Sequence, residues 1–263
     1  MKKFLSILLI VLVLAFIYVP ILLLVVYSFT DATIIGNWNG FNLKLYSRLF
    51  TEQRIREMLI NTITLAVVSA ILSTILGALG AIGLYYSKGR LGRTVKGLSN
   101  ISVINAEIVT AISLALIFSL ISYGKTYFSL IVGHMVLCTP FVVLSVMPKL
   151  KQMDGSLYEA ALDLGATPFK ALFKVILPEI LPGIFSGFML AITLSLDDYI
   201  VTVFTKPETF DTISTYVYNA VKNQAKSELP ALRALSTVIF LIMIIVVVVM
   251  NINANKKAKE KRV

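Results

Sequence analysis

Six apolar runs, near residues 4–27, 58–86, 101–122, 127–148, 182–205 and 232–254, are each long enough to cross a bilayer as a helix. They constrain the chain more than any other feature. A backbone in hydrocarbon must satisfy its own amides and carbonyls, and a helix does so within a single run. The predicted fold class is therefore all-α: a polytopic membrane protein with six transmembrane helices, forming one domain over residues 1–263. A hydrophobic fraction of 57% and a charged fraction of 14% agree, since a soluble domain carries about 25% charged residues. The first run follows Lys2 and Lys3, as a signal peptide would, but it stays apolar to about Tyr27 without a small-residue cleavage site and reads as a retained helix.

The net charge of +10 would suit a nucleic-acid binder if the basic residues formed a patch. They are sorted by side of the membrane instead. With the N-terminus inside, Lys2, Lys3, Lys88, Arg90, Arg93, Lys96, Lys149, Lys151, Lys170, Lys174, Lys256, Lys257, Lys259, Lys261 and Arg262 all fall inside. The excess of Lys and Arg on that side places both termini in the cytoplasm. Two longer outside segments follow, at about 28–57 and 206–231, and a cytoplasmic loop at about 149–181.

Little else suggests chemistry performed by the chain itself. Cys138 is the single cysteine and His134 the single histidine, so neither an internal disulfide nor a histidine-based metal cluster can form. No phosphate-cradling glycine loop or Cys/His nucleophile pair is present. We expect no bound metal or cofactor, no catalytic residue and no nucleic-acid partner. His134 reads as a hydrogen-bonded packing residue of the fourth span.

The cytoplasmic loop is the most patterned part of the chain. Ser156 and Glu159 are spaced as an S-x-x-E capping box, which would start a helix. Gly165 can take the left-handed conformation that ends one. Thr167 and Pro168 then supply an N-cap and a first-turn proline for a second short helix. Ala160 and Ala161 are small enough to let another protein approach closely.

The stretch Glu159-Ala160-Ala161-Leu162-Asp163-Leu164-Gly165, followed at fixed spacing by Ile176-Leu177-Pro178, resembles the EAA loop through which membrane subunits of ABC importers engage their ATPases. Val175 stands where that family usually has Ile. The resemblance implies a type I importer permease fold and an ATPase-coupling role for Glu159, Ala160, Ala161, Asp163, Gly165, Pro168 and Pro178. It also implies a second permease subunit, an ATPase dimer holding ATP and magnesium, and an extracytoplasmic substrate-binding protein, in a prokaryotic inner membrane.

Three carboxylates fall within the runs: Glu107 in the third, Asp197 and Asp198 in the fifth. Each would cost about 3 kcal/mol or more facing lipid at mid-membrane, so each must face protein or water. Helical spacing puts Asp198 on the face of Ser195 and Thr202, while Asp197 lies about 100° away beside Thr193. By depth along the runs, Glu107 and the aspartates are expected to form a ladder across the membrane. Two readings fit: a path for a cation, or a structural role in which the aspartates cap a broken helix or bond to Ser and Thr neighbours and Glu107 is protonated and packed. Small residues repeat every fourth position at Gly183, Gly187, Ala191 and Ser195, and again at Ser73 and Gly77, with Gly80 and Gly83 after them, which suits close helix packing in lipid.

The segment Leu194-Ser195-Leu196-Asp197-Asp198-Tyr199 resembles the S-L-D-D-[FY] signature of the second permease of spermidine/putrescine importers. Trp38, Gly40, Phe41, Leu43 and Tyr46 resemble the W-x-G-F-x-L-x-x-Y pattern of the polyamine, sulfate and iron importer permeases. This implies that Ser195, Asp197 and Asp198, with Glu107 and Trp38, lie on a polyamine pathway. The usual proline before the acidic residue is absent here, where Asn105-Ala106 precedes Glu107. Import of another cationic or organic solute, an ion-coupled secondary carrier using the same acids, and a non-transporting membrane subunit remain the alternatives.

Overall fold

The computed structural model describes residues 2–32, 36–87, 97, 105–223 and 229–260, all of whose regular structure is helical. The expected inside charges Lys88, Arg90, Arg93, Lys96, Lys261 and Arg262 lie outside the described residues, as do residues 101–104 at the head of the third run. The helices are α1 (Lys2–Tyr27), α2 (Lys44–Thr51), α3 (Gln53–Tyr86), α4 (Glu107–Leu120), α5 (Tyr127–Gln152), α6 (Ser156–Asp163), α7 (Pro168–Ala171), α8 (Leu177–Asp197), α9 (Ile200–Thr205), α10 (Ile213–Lys222) and α11 (Leu229–Glu260). Among the described residues, four helical stretches are long and apolar enough to cross a membrane: Leu5–Tyr27, Gln53–Tyr86, Tyr127–Gln152 and Pro168–Asp197. Glu107–Leu120, at about 1.5 Å per residue, spans only roughly 21 Å.

The chain divides into two compact units, residues 1–57 with 217–263, and residues 58–216. In the first, α11 packs on α1 and α2. The segment after α1 is ordered by aromatics: Tyr27 meets Trp38 edge-on at 6.1 Å, and Phe29 stacks on Phe41 at 5.2 Å. Ser28 Oγ lies 2.6 Å from the Tyr46 hydroxyl, and Thr30 Oγ1 accepts from Asn39 N. Arg233 of α11 is buried and donates to the carbonyl of Ala32.

In the second unit α5 is the spine. Its start is a reciprocal capping box, with Thr126 Oγ1 accepting from Ser129 N at 3.3 Å and Ser129 Oγ accepting from Thr126 N at 2.7 Å. Helix α8 lies along it through the expected small-residue ridge. A Cβ on Gly183 would stand 2.8 Å from Lys149 Cγ, and one on Gly187 3.1 Å from Val142 Cγ1. On the other side Gly77 of α3 leaves no room beside Val142, whose Cβ would be 2.7 Å from an added methyl. Close backbones multiply small dispersion contacts, which is what holds helices together where the surroundings are as apolar as the side chains.

Two expectations about the fifth run are corrected. It is not one helix over 182–205, because α8 ends at Asp197 and α9 begins at Ile200. Nor is the second loop helix separate from the span. From Pro168 the chain is helical through a π turn at Leu172–Ile176 directly into α8. Pro178 and Pro182 cannot donate to the ladder, and the widened turn, in which Leu177 N reaches Leu172 O, absorbs the resulting shift in register.

Candidate functional site

The break after Asp197 organises the acidic site. Asp198 leaves the helix in an extended conformation, with φ −65° and ψ 127°. Its carboxylate then caps the next helix: Oδ1 accepts from Val201 N at 3.2 Å, and Oδ2 accepts from Thr202 N and Thr202 Oγ1, each at 2.8 Å. Asp198 is only 7% exposed, so its charge has left water. Burial of a carboxylate is tolerable when several donors meet it, and here two amides and a hydroxyl do.

His134 of α5 is fully buried beside it. Its Nδ1 lies 2.7 Å from Ser195 Oγ, its Nε2 lies 3.0 Å from Thr202 Oγ1, and Nε2 is 3.6 Å from Asp198 Oδ2. Ser195, Asp198 and Thr202 thus share a face, as their spacing predicts, although the helix between them is interrupted. Gly133 makes this approach feasible, since a Cβ there would sit 2.8 Å from Val201 Cγ1. At the far end of α9, Ser129 Oγ donates to Thr205 O at 2.8 Å.

Asp197 is placed differently. It is exposed at the C-terminal end of α8, where the helix presents its negative pole. Glu107 is also exposed and occupies the first turn of α4, which packs against α9. Glu107 and the aspartates therefore sit on adjoining elements of the same unit. Glu107 starts its helix, while the aspartates sit at a helix break. Among the described residues, neither Glu107 nor Asp197 is within ion-pair distance of a Lys or Arg, and no cluster of His, Cys, Asp and Glu could hold a metal ion. Trp38 belongs to the other unit and is half exposed beside Tyr27.

In the loop, Gly165 has φ +83° and closes α6 by a Schellman arrangement: Ala166 N donates to Ala161 O at 3.0 Å and Gly165 N to Leu162 O at 2.9 Å. Thr167 Oγ1 accepts from Lys170 N at 3.3 Å, with Pro168 as the first helical residue. The expected Ser156–Glu159 capping box does not form. Ser156 already lies inside the helix, one residue past the register that the box requires. Gly155 is the N-cap, and the preceding Asp154 Oδ1 accepts from Ser156 N at 3.0 Å and Ser156 Oγ at 2.8 Å, bonds that hold its carboxyl below the usual aspartate range. Ala161 is turned inward, whereas Glu159, Ala160, Asp163, Pro168 and Pro178 are exposed, as are Leu164 and the paired rings of Phe169 and Phe173.

Residues 73–256 match the family model described as "Binding-protein-dependent transport system inner membrane component". The chain belongs to that family. It is accordingly a multi-pass permease subunit of an ABC importer in the inner membrane, and not itself an enzyme. It is 35% identical over 229 residues to the spermidine/putrescine transport system permease protein PotC of Escherichia coli K12, covering 87% of each chain. It is 30% identical to the putrescine transport system permease protein PotI of the same strain, covering 84% of this chain and 81% of that one. Among solved structures it resembles a chain of a bacterial ABC transporter that imports the acidic polysaccharide alginate, with TM-score 0.76, 16% identity and 95% of each chain covered. It also resembles the MetNI methionine ABC transporter, with TM-score 0.61 and 19% identity over 76% of this chain and 95% of that one.

Within this permease, sequence reasoning missed the bridge that His134 makes across the break. A signal was present: a lone buried histidine needs partners for both ring nitrogens, and Ser195 and Thr202 were the polar residues on the facing surface.

Proposed function

We propose that this permease is the second permease subunit of an ATP-driven polyamine importer for spermidine or putrescine. All 263 residues would serve as one transmembrane permease domain of six spans with both termini in the cytoplasm. The observation that carries the reading is the exposed Asp197 at the negative end of a broken helix, near Glu107, with no basic side chain of the described chain to neutralise either. Such a place attracts a mobile cation, and half-helix ends beside an interruption are where transporters hold cations. A flexible polycation suits it because several modest contacts hold without trapping. The names of PotC and PotI support the same substrate class.

On this reading Asp197 and Glu107 face the path, Ser195 and Asp198 shape it from behind, and Trp38 is a further pathway residue. The loop of Glu159, Ala160, Ala161, Asp163, Gly165, Pro168 and Pro178 seats on a partner ATPase dimer, which holds the ATP and magnesium. The other partners are a second permease and an extracytoplasmic substrate-binding protein. Transport follows from differential affinity of inward and outward states for the same ligand.

A second reading is import of another cationic or organic solute, since the fold is shared with importers of unlike solutes and does not itself select one. The deciding test measures uptake of labelled spermidine and putrescine by cells lacking their own importers and expressing the assembled complex, with and without Asp197→Asn/Asp198→Asn. ATP-dependent uptake lost in an assembled double variant is expected. Absence of polyamine uptake by the assembled wild type turns the search to other solutes.

A further inference from the structure

His134 is a titratable side chain hydrogen-bonded into the acidic site, and the transport reading gives it no task. Its surroundings define a chain of hydrogen bonds. Asp198 Oδ2 is an acceptor, so the Thr202 hydroxyl, 2.8 Å away, donates to it. That hydroxyl has one proton, so at 3.0 Å from His134 Nε2 it must accept, and Nε2 carries the ring proton. The charge of Asp198 is already met by Val201 N, Thr202 N and the Thr202 hydroxyl, so nothing in the cluster requires a cationic ring. Nδ1 of the neutral ring is then the acceptor for the Ser195 hydroxyl at 2.7 Å.

The three partners lie on both sides of the interruption. Ser195 is in the last turn of α8, Asp198 is the residue at which the helix breaks, and Thr202 is in α9. Asp197, the exposed acid, stands between them in the chain. Its direction is set by the backbone at the break, and α5 holds that backbone on each side through one imidazole.

We propose that His134 is a positioning residue of the acidic site. Neutral and protonated on Nε2, it clasps the ends of α8 and α9 and so fixes where Asp197 presents its carboxylate to the passing cation. The proposal rests on the polyamine reading for the cation and on the hydrogen bonds alone for the clasp.

Two measurements test it. Because the chain contains one histidine, the full chain labelled with 15N-histidine and purified without a polyhistidine tag gives a single imidazole. At pH 7 its spectrum should show Nε2 protonated and Nδ1 bare, whereas a doubly protonated ring or an Nδ1–H tautomer overturns the clasp. The second measurement is a double-mutant cycle in the assembled complex, reading polyamine uptake per complex at saturating binding protein. His134→Phe, which keeps an apolar ring of similar size, should lower uptake about tenfold in the parent and less than twofold in an Asp197→Asn background, because it acts through Asp197. His134→Gln, which retains a donor and an acceptor, should recover at least half of the parent rate. Equal losses in both backgrounds, or a His134→Phe variant as fast as the parent, overturn the positioning role. If His134→Phe does not assemble, Thr202→Val takes its place in the cycle, with the same outcomes deciding. Uptake that is absent from the assembled wild type defeats the polyamine reading alone, and the spectrum then decides the clasp.

Discussion

Neighbouring aspartates in this permease sit in opposite surroundings, and the roles proposed for them are testable. Asp198 is buried and meets two amides and a hydroxyl, while Asp197 is exposed and meets no basic side chain among the described residues. In Asp198→Asn the new amide group must point a donor at donors or lose one of them, which should cost about 1–3 kcal/mol of stability. Asp197→Asn leaves packing untouched and should change stability by less than about 0.5 kcal/mol while removing most polyamine uptake. Thermal unfolding of the purified complex and uptake per complex separate the two effects. Equal destabilisation by both variants would contradict the division of labour. Helical period alone placed Ser195, Asp198 and Thr202 on one face. What it could not reveal is that the face continues across a gap, because Asp198 can cap only a helix that starts after it.

At the scale of elements, the loop shows how far local signals reach. Gly165 was legible because a left-handed residue after Ala161 and Leu162 closes their carbonyls, and its φ of +83° bears this out. Gly165→Leu faces open space yet must adopt a conformation costing about 1–3 kcal/mol for a branched side chain. It should lower uptake severalfold with membrane insertion intact, whereas Gly165→Asn, which tolerates that conformation, should retain most of it. Uptake equal to the parent in Gly165→Leu would show that the turn is not needed for coupling. The same helix starts one residue earlier than the expected box requires: Gly155 is its N-cap, and Asp154 supplies the side-chain acceptor for the Ser156 amide. The folded-state pKa of Asp154 is depressed, so its contribution is present above the ordinary aspartate value and is lost as pH falls through the depressed one. Amide exchange at Ser156, Leu157 and Tyr158, corrected for intrinsic rate, should therefore rise in strongly acidic buffer. It should rise at pH 7 in Asp154→Ala; unchanged protection there would assign the acceptor elsewhere.

For the whole molecule, composition and run length were enough to announce an all-helical membrane protein, because hydrocarbon leaves a backbone few options. They could not announce the merging of the loop helix with the fifth span. That depends on a π turn absorbing Pro178, which hydropathy does not register. Nor does the fold name a solute: importers of alginate and of methionine share this architecture, so the proposed cargo is argued from charge and not from fold. Transport driven by a cytoplasmic ATPase also requires that the α6–α7 loop face the cytosol. The distribution of lysines and arginines implies that it does, with the chain's end on the same side. A green fluorescent protein joined after Val263 should then fluoresce, and alkaline phosphatase joined at the same place should be inactive. The same pair of reporters inserted after Lys125, between α4 and α5, should give the reverse. If instead phosphatase is active at the end of the chain and silent at Lys125, the loop carrying Gly165 lies on the side without ATP. The coupling role proposed for it would then have to be abandoned, whatever the permease carries.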